Sequence, residues 1–184
     1  MSIYVLPAVD TPLSQGDIFV NLPYWRPHRK TKSDPWPSVS QRGNLVLDLQ
    51  TNSFAVLATQ TCDIPKAKEL LFVSATLADE VAKALATSEE QPLSEEEFRH
   101  WIVRNLHLRF HFFERFEVDG RLVIPEIVAN FRSPFTLRSD YVKEKLIPDG
   151  HRILCMQAVY SAEFGNRFGQ YYARVATDRN MESV

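Results

Sequence analysis

The stretch FAVLATQTCDIPKAKELLFVSA, residues 54–75, places two apolar runs on either side of a polar cluster. Both runs are short and bounded by polar residues, which favours buried strands. The cluster between them consists of Thr59, Gln60, Thr61, Cys62 and Asp63. Binding and catalytic residues are often found at the end of a strand, where a rigid scaffold holds polar side chains in place. The cluster is also typical of an ordinary turn, with Asp63 as a cap and Cys62 as a small buried residue.

Strands are predicted on both sides of this stretch. IFVNL, residues 18–22, follows the turn signal Ser14-Gln15-Gly16-Asp17. NLVLDLQ and SFAVLATQ flank Thr51-Asn52 and predict a hairpin. In LRFHFFERFEV, residues 108–118, apolar side chains recur with a period of two, and Asp119-Gly120 then supplies a hairpin turn into RLVIP. RILCMQ predicts a final strand.

Helices are predicted in four places: ADEVAKALA at 78–86, FRHWIVRNL at 98–106, SDYVKEKLI at 139–147 and SAEFGNRFGQYYARVA at 161–176. Ser94 and Glu97 form a capping-box pattern ahead of the second one. The order of elements predicts an α+β, mainly β fold: a small SH3-like curled sheet or partial barrel, with a helical insert and a C-terminal helix. We expect one domain over 1–184, with a barrel-like half at 1–76, the insert at 77–106, and a hairpin plus closing helix at 107–184.

Composition limits the class of protein. The chain has 184 residues, 45% of them hydrophobic, which is enough for a sizeable core. Its net charge of −2 means that binding a polyanion requires a local basic patch. Two cysteines make no disulfide framework, and neither a signal peptide nor an apolar run of about 18 residues is present in the sequence. We expect a cytoplasmic protein without a membrane partner.

Residues 23–43 carry four prolines and no apolar periodicity, which predicts a long surface loop. The loop interleaves aromatic and cationic side chains, a pattern that suits unpaired bases and phosphates or a protein partner. The candidate binding residues are Tyr24, Trp25, Arg26, Arg29, Lys30, Lys32 and Trp36, alongside His28 and Arg42.

The positions of the cysteines and histidines in the sequence indicate whether a thiol enzyme or a metal site is expected. Cys62 is a candidate nucleophile if His28 or His151 lies beside it in the fold. No second cysteine stands at metal-ligand spacing, and His107 and His111 are about 13 Å apart on a strand, too far to share an ion. We therefore expect neither a metal nor a cofactor.

Two further features concern packing. Gly165 and Gly169 lie four residues apart on the last helix, which favours tight packing of the helix on the sheet over a dimer interface. A homodimer is kept as an alternative. Glu163 and Arg167 are predicted to form a solvated i,i+4 pair. Asp17 is predicted to cap its turn, or else to face the same end of the sheet as Thr59 and Asp63.

QGDIF, VLATQTCDIP and the closing Y-x-x-x-F-x-x-x-F-x-x-Y-x-x-R pattern together resemble an uncharacterised bacterial family, a resemblance that implies no activity. Residues 15–75 also resemble the MazF/PemK-like toxins, SH3-like barrels that cut RNA. Gly16-Asp17-Ile18 matches their opening strand, and VLATQT, residues 56–61, matches an apolar strand with a polar end. That resemblance implies that Arg42 stabilises the transition-state charge and that Thr59 or Thr61 binds the phosphate. The toxins' Arg-Pro just before the second strand is absent, with Arg42 the nearest arginine, and the chain after residue 76 has no toxin counterpart.

These patterns lead to one functional expectation and two alternatives. The expectation is an accessory binding protein of a bacterial multi-component system, related to defence or toxins, that binds RNA or a protein partner through residues 23–43 and 59–63. The first alternative is a metal-independent MazF-like endoribonuclease, and the second is a thiol enzyme dependent on Cys62. The candidate catalytic residues are Arg42, Thr59, Thr61, Cys62 and Asp63.

Overall fold

The computed structural model describes residues 3–8, 10–27, 47–87 and 94–181. The strands are β1 Tyr4–Val5, β2 Ile18–Pro27, β3 Leu47–Leu57, β4 Glu69–Leu77, β5 Phe110–Phe113, β6 Phe116–Val118, β7 Arg121–Ile124, β8 Ile127–Arg138 and β9 Arg152–Met156. The helices are α1 Ala78–Ala86, α2 Glu95–Val103, α3 Ser139–Tyr141, which continues into a π-helical turn at Val142–Leu146, and α4 Ala158–Met181. This content confirms the predicted α+β, mainly β class.

Seven strands form one antiparallel sheet in the order β1-β9-β2-β3-β4-β8-β5. The sheet is not closed into a barrel. It is nevertheless curled, because the rings of Tyr24 on β2 and Phe135 on β8 lie 5.5 Å apart although β3 and β4 stand between their strands. In a flat sheet, strands three positions apart would be separated by about 14 Å.

The predicted hairpin at Thr51-Asn52 is wrong, because β3 runs through both residues. Thr51 and Asn52 pair in register with Pro23 and Leu22 of β2, so they sit inside a ladder rather than at its end. The predicted loop is also shorter at its start than expected, since residues 23–27 belong to β2. Prolines are tolerated there because β9 pairs with β2 only at Ile18 and Phe19, which leaves the outer part of β2 an edge among the described residues.

Several local predictions are confirmed. The capping box of Ser94 and Glu97 is formed at the start of α2. Asp119 and Gly120 adopt φ values of 50° and 73° and join β6 to β7, as a two-residue hairpin turn requires. The run at 108–118, however, divides into β5 in the main sheet and β6 in a separate two-stranded sheet. Both faces of β5 are covered rather than one, because the successive side chains Phe110 and His111 are both buried.

Three clusters of buried side chains hold these elements together. On one face of the sheet, α4 packs through Phe164 against residues such as Val56 and Phe131. On the other face, the π-helical turn packs through Val142 and Leu146. Helices α1 and α2 bury a third cluster against the β5–β8 end of the sheet. No helix among the described residues is both long and apolar enough to cross a membrane.

His111 shows how far β5 is enclosed. Its side chain is 4% exposed and lies between the rings of Phe113 and Phe164, at 4.9 and 5.2 Å between centroids. Within the described part of the chain, its Nδ1 has no hydrogen-bond partner. Burial, together with the charge of Arg167, lowers the pKa of His111 to about 3. The imidazole is therefore neutral at physiological pH.

This burial predicts acid sensitivity. A histidine whose folded-state pKa lies below its unfolded value of about 6.5 stabilises the fold above that pH, and the stabilisation is lost as the pH falls toward the folded pKa. We expect the free energy of unfolding of the wild type to fall by about 2–3 kcal/mol more than that of His111→Phe between pH 7 and pH 4.5. Urea titrations of both proteins across this range measure the difference, and parallel pH profiles would contradict the assignment.

Candidate functional site

The Gln15–Asp17 turn clamps the end of β3. Gly16 adopts a φ of 89°, and its N–H donates to Leu57 O at 2.8 Å. Leu57 N donates back to Asp17 O at 2.9 Å, and the Gln15 side chain donates to Ala58 O at 2.8 Å. A Cβ on residue 16 would lie 2.6 Å from Met156 Sδ. Glycine is therefore needed at position 16 both for its backbone conformation and for the close approach of β9.

Behind this turn, Asp17 forms a buried ion pair with Arg152. Asp17 Oδ2 lies 2.7 Å from Arg152 Nη2, and the two side chains are 0% and 3% exposed. Ser14 N donates to Asp17 Oδ2 at 2.8 Å, which confirms the predicted capping role. Arg152 was not anticipated as a functional residue. The one available signal was a cation within the otherwise apolar strand RILCM.

The remaining donors of Arg152 are almost all used. It donates to Thr11 O at 2.6 Å, to Pro12 O at 2.8 Å and to Cys155 Sγ at 3.0 Å. Burial raises the pKa of Asp17 to about 6, although Arg152 and the Ser14 N–H favour its charged form. Burial and the charge of Asp17 raise the pKa of Cys155 to about 11. The Cys155 thiol is accordingly protonated and inert at neutral pH.

The ion pair should dominate the stability of this region. Asp17→Asn keeps the side-chain shape but leaves the buried Arg152 without a counter-charge, and breaking such a pair costs about 3–5 kcal/mol. We expect a loss of this size in the free energy of unfolding, measured by urea denaturation at pH 7. Asp149→Asn, at an exposed aspartate, is the control and should change it by less than about 0.5 kcal/mol. Equal effects of the two substitutions would contradict the assignment.

The 59–63 turn, meaning the polar cluster Thr59 to Asp63, is fixed by its threonines. Thr59 Oγ1 accepts a hydrogen bond from Leu71 N at 2.7 Å. Thr61 Oγ1 accepts one from Gln15 N at 3.1 Å and lies 3.1 Å from Ser14 Oγ. The chain then turns, because the N–H groups of Lys66 and Ala67 donate to Asp63 O. Both hydroxyls thus hold the turn against the sheet and against the Gln15–Asp17 turn.

The side chains at the outer side of this turn are exposed, namely those of Gln60, Cys62 and Asp63. The expectation that Cys62 is a small buried residue is therefore wrong. Its thiol donates weakly to Gln60 Oε1 at 3.9 Å. Among the described residues no histidine is hydrogen-bonded to it, and His151 is instead joined through Nδ1 to Val20 O at 2.8 Å.

The structure describes only some of the other candidate residues. The ring of Tyr24 packs against Phe135 and is half-buried. Trp25 and Arg26 lie on β2, and their side chains fall outside the described part of the structure. The remaining candidates of the loop also lie outside the described residues: His28, Arg29, Lys30, Lys32, Trp36 and Arg42.

Helix α4 completes the arrangement. Ser161 Oγ donates to Gln15 O at 2.6 Å, and a Cβ on residue 165 would overlap Gln15 Oε1. Gly165 is tightly packed as predicted, but against Gln15 of the Gln15–Asp17 turn rather than against the sheet. Gly169 has open space around its Cα. The three segments that carry the first resemblance therefore meet at one place in the fold.

The two glycines supply a matched pair of substitutions. Gly169→Ala should raise the free energy of unfolding by about 0.5–1 kcal/mol, because alanine favours the helix and meets no neighbour. Gly165→Ala should lower it, since the buried Gln15 must give up its bond to Ala58 O. Thermal unfolding of both variants is the measurement. Adding Gln15→Ala to Gly165→Ala should recover part of the loss, and an equal gain from both alanines would contradict this packing.

Comparison with family models, curated proteins and solved structures found no match for the chain. Both resemblances therefore remain predictions. Within the described residues, no group of three or more histidine, cysteine or acidic side chains is placed to hold a metal ion. The site is consequently defined by its own geometry: a rigid turn with an exposed polar edge.

Proposed function

We propose that this protein is a non-catalytic binding module, and that the 59–63 turn is part of the surface that holds a protein partner. The observation that carries the proposal is the contrast within the turn. Its threonine hydroxyls and backbone are bonded inward, while Gln60, Cys62 and Asp63 are exposed. A rigid turn with outward side chains suits recognition at little entropic cost.

The same contacts argue against the catalytic alternatives. A toxin-like nuclease would use Thr59 or Thr61 to bind a phosphate, whereas here both hydroxyl oxygens accept backbone N–H bonds that hold the turn in place, which gives them a structural role. A thiol enzyme would need a base beside Cys62. The hydrogen bond that the Cys62 thiol makes among the described residues is instead to the amide oxygen of Gln60. A binding module requires neither arrangement.

A cleft beside the turn favours a protein over a polyanion. The cleft has a volume of about 410 Å³ and is lined mainly by apolar side chains: Pro12, Leu13, Ile64, Pro65 and Ile147. Asp10 and Lys143, of opposite charge, stand at its sides. An apolar floor with charges of both signs suits an apolar peptide segment, whereas a phosphate backbone requires cations.

Site-directed photocrosslinking tests this function. A benzophenone side chain at Gln60 should give a discrete protein adduct in the cells that make the protein, and one at exposed Glu117 should not. The crosslinked partner is then identified and purified, and its affinity for the wild-type protein is measured. We expect Asp63→Arg and Lys143→Glu each to weaken binding at least tenfold, because both lie at the turn or the cleft. Lys83→Glu, on the exposed side of α1, should leave it within twofold.

Other outcomes identify the alternatives. An RNA adduct at position 60, or no adduct beyond that at position 117, would overturn the protein-partner proposal. Growth arrest with defined RNA ends after induction of the wild type, abolished by Arg42→Ala, would establish the endoribonuclease. An activity destroyed by Cys62→Ser and by alkylation would establish the thiol enzyme.

A further inference from the structure

A second surface lies apart from the Gln15–Asp17 turn and the 59–63 turn. We call it the arginine–tyrosine patch, and it consists of Arg109, Asn130, Arg132, Tyr171 and Tyr172. Arg109 precedes β5, Asn130 and Arg132 lie on β8, and the two tyrosines lie on α4. The patch thus forms where the edge of the sheet meets the last helix.

Neutral groups hold both guanidinium groups in place. Arg109 Nε donates to Asn130 Oδ1 at 2.9 Å, and Arg132 N donates to the same oxygen at 3.1 Å. Arg132 Nε donates to the Tyr171 hydroxyl at 3.2 Å. The guanidinium carbon of Arg109 also lies 4.8 Å from the centre of the Phe110 ring. These interactions fix the positions of the two charges without neutralising them.

Among the described side chains, the two arginines of this patch have no acidic partner. Arg99, Arg115, Arg138 and Arg152 each form an ion pair with a carboxylate. Within the described part of the chain, Arg109 and Arg132 form none. Burial and the charge of Arg132 lower the pKa of Arg109, and burial and both arginines lower the pKa of the neighbouring His107. The patch is therefore an uncompensated cationic site on a chain whose net charge is −2.

Arg167 adds a third positive charge nearby. The predicted solvated ion pair with Glu163 is not formed among the described residues, although the charge of Glu163 opposes the lowering of the Arg167 pKa by burial. Arg167 is half-buried and donates instead to the carbonyl oxygens of Phe110 and His107, at 2.8 and 3.3 Å. It therefore links α4 to the start of β5, directly beneath the segment that carries Arg109.

An aromatic platform adjoins these charges. The Tyr172 hydroxyl donates to Phe131 O at 2.7 Å, and its ring lies 4.9 Å from Phe168 and 5.2 Å from Tyr171. The ring is thus held in one orientation, yet Tyr172 is 38% exposed. A fixed, partly exposed aromatic side chain beside two cations matches the parts of a nucleotide, which are a flat base and a phosphate.

We propose that the arginine–tyrosine patch binds single-stranded nucleic acid, with a phosphate on Arg109 and Arg132 and an unpaired base on Tyr172. Bases inside a duplex are not free to stack on a side chain, so the aromatic platform selects single strands. This inference goes beyond the proposed protein partner and does not depend on it, because the patch shares no residue with the 59–63 turn or its cleft. Together the two surfaces would make the protein an adaptor.

Fluorescence anisotropy with a labelled 12-nucleotide oligouridine RNA tests the proposal. We expect Arg109→Gln/Arg132→Gln to weaken binding at least tenfold. Arg104→Gln/Arg121→Gln is the matched control, since it removes the same charge from exposed positions and should change affinity less than twofold. Tyr172→Ala should weaken binding about fivefold or more, because the base loses its stacking surface. The slope of log affinity against log salt should become shallower by about 0.7 for each phosphate that the variant no longer binds.

Each outcome decides the matter. Equal binding of the matching oligothymidine DNA supports readout of phosphate and base, and a preference for the RNA adds an interaction with the 2′-hydroxyl group. Tighter binding of a 12-base-pair RNA duplex, an equal loss of affinity in the matched control, or no binding by the wild type in low salt would overturn the proposal. The single variant Arg132→Gln changes an exposed side chain, so it should fold normally and controls for misfolding of the double variant. It should still weaken binding severalfold. The crosslinking result at Gln60 is independent of all these arms.

Discussion

The ion pair between Asp17 and Arg152 is the constraint on which the rest of this structure depends. Removing both charges from water is costly, and their attraction offsets that cost only when further hydrogen bonds satisfy the remaining donors and acceptors. Here the Ser14 N–H and the carbonyl groups of Thr11 and Pro12 supply most of those bonds, while Asp17 Oδ1 and Arg152 Nε have no hydrogen-bond partner among the described residues. The pair thereby fixes the Gln15–Asp17 turn. This turn is hydrogen-bonded to the end of β3, to Thr61 and to Ser161 on α4.

The polar residues of the motifs thus serve mainly the architecture. Their inward bonds leave a small exposed edge at Gln60, Cys62 and Asp63, and the proposed partner contact is placed on this edge. The charged residues divide in a similar way. Four arginines are neutralised by carboxylates, whereas Arg109 and Arg132 are held by an amide and a phenol and keep their full positive charge. Binding capacity follows from what the fold leaves unpaired.

The sequence predicts features whose causes are local. The Asp119-Gly120 turn and the capping box at Ser94 each depend on residues within one turn of the chain, and both form as expected. The continuity of β3 could not be predicted, because its Thr51-Asn52 pair is held by Leu22 and Pro23 of another strand. The roles of Thr59 and Arg152 were hidden for the same reason: their partners, Leu71 N and Asp17, are brought to them by the tertiary fold.

The strand order has a consequence for biosynthesis. Strand β9 lies between β1 and β2, so the first two strands of the chain pair with its last strand rather than with each other. Until residues 152–156 leave the ribosome, β1 has no strand beside it and Asp17 has no cation. The β2–β3 pair can form during translation, but the sheet is completed only after residues 152–156 have been made. Until that strand is made, the nascent protein therefore carries an open sheet edge and an Asp17 carboxylate that lacks its cation.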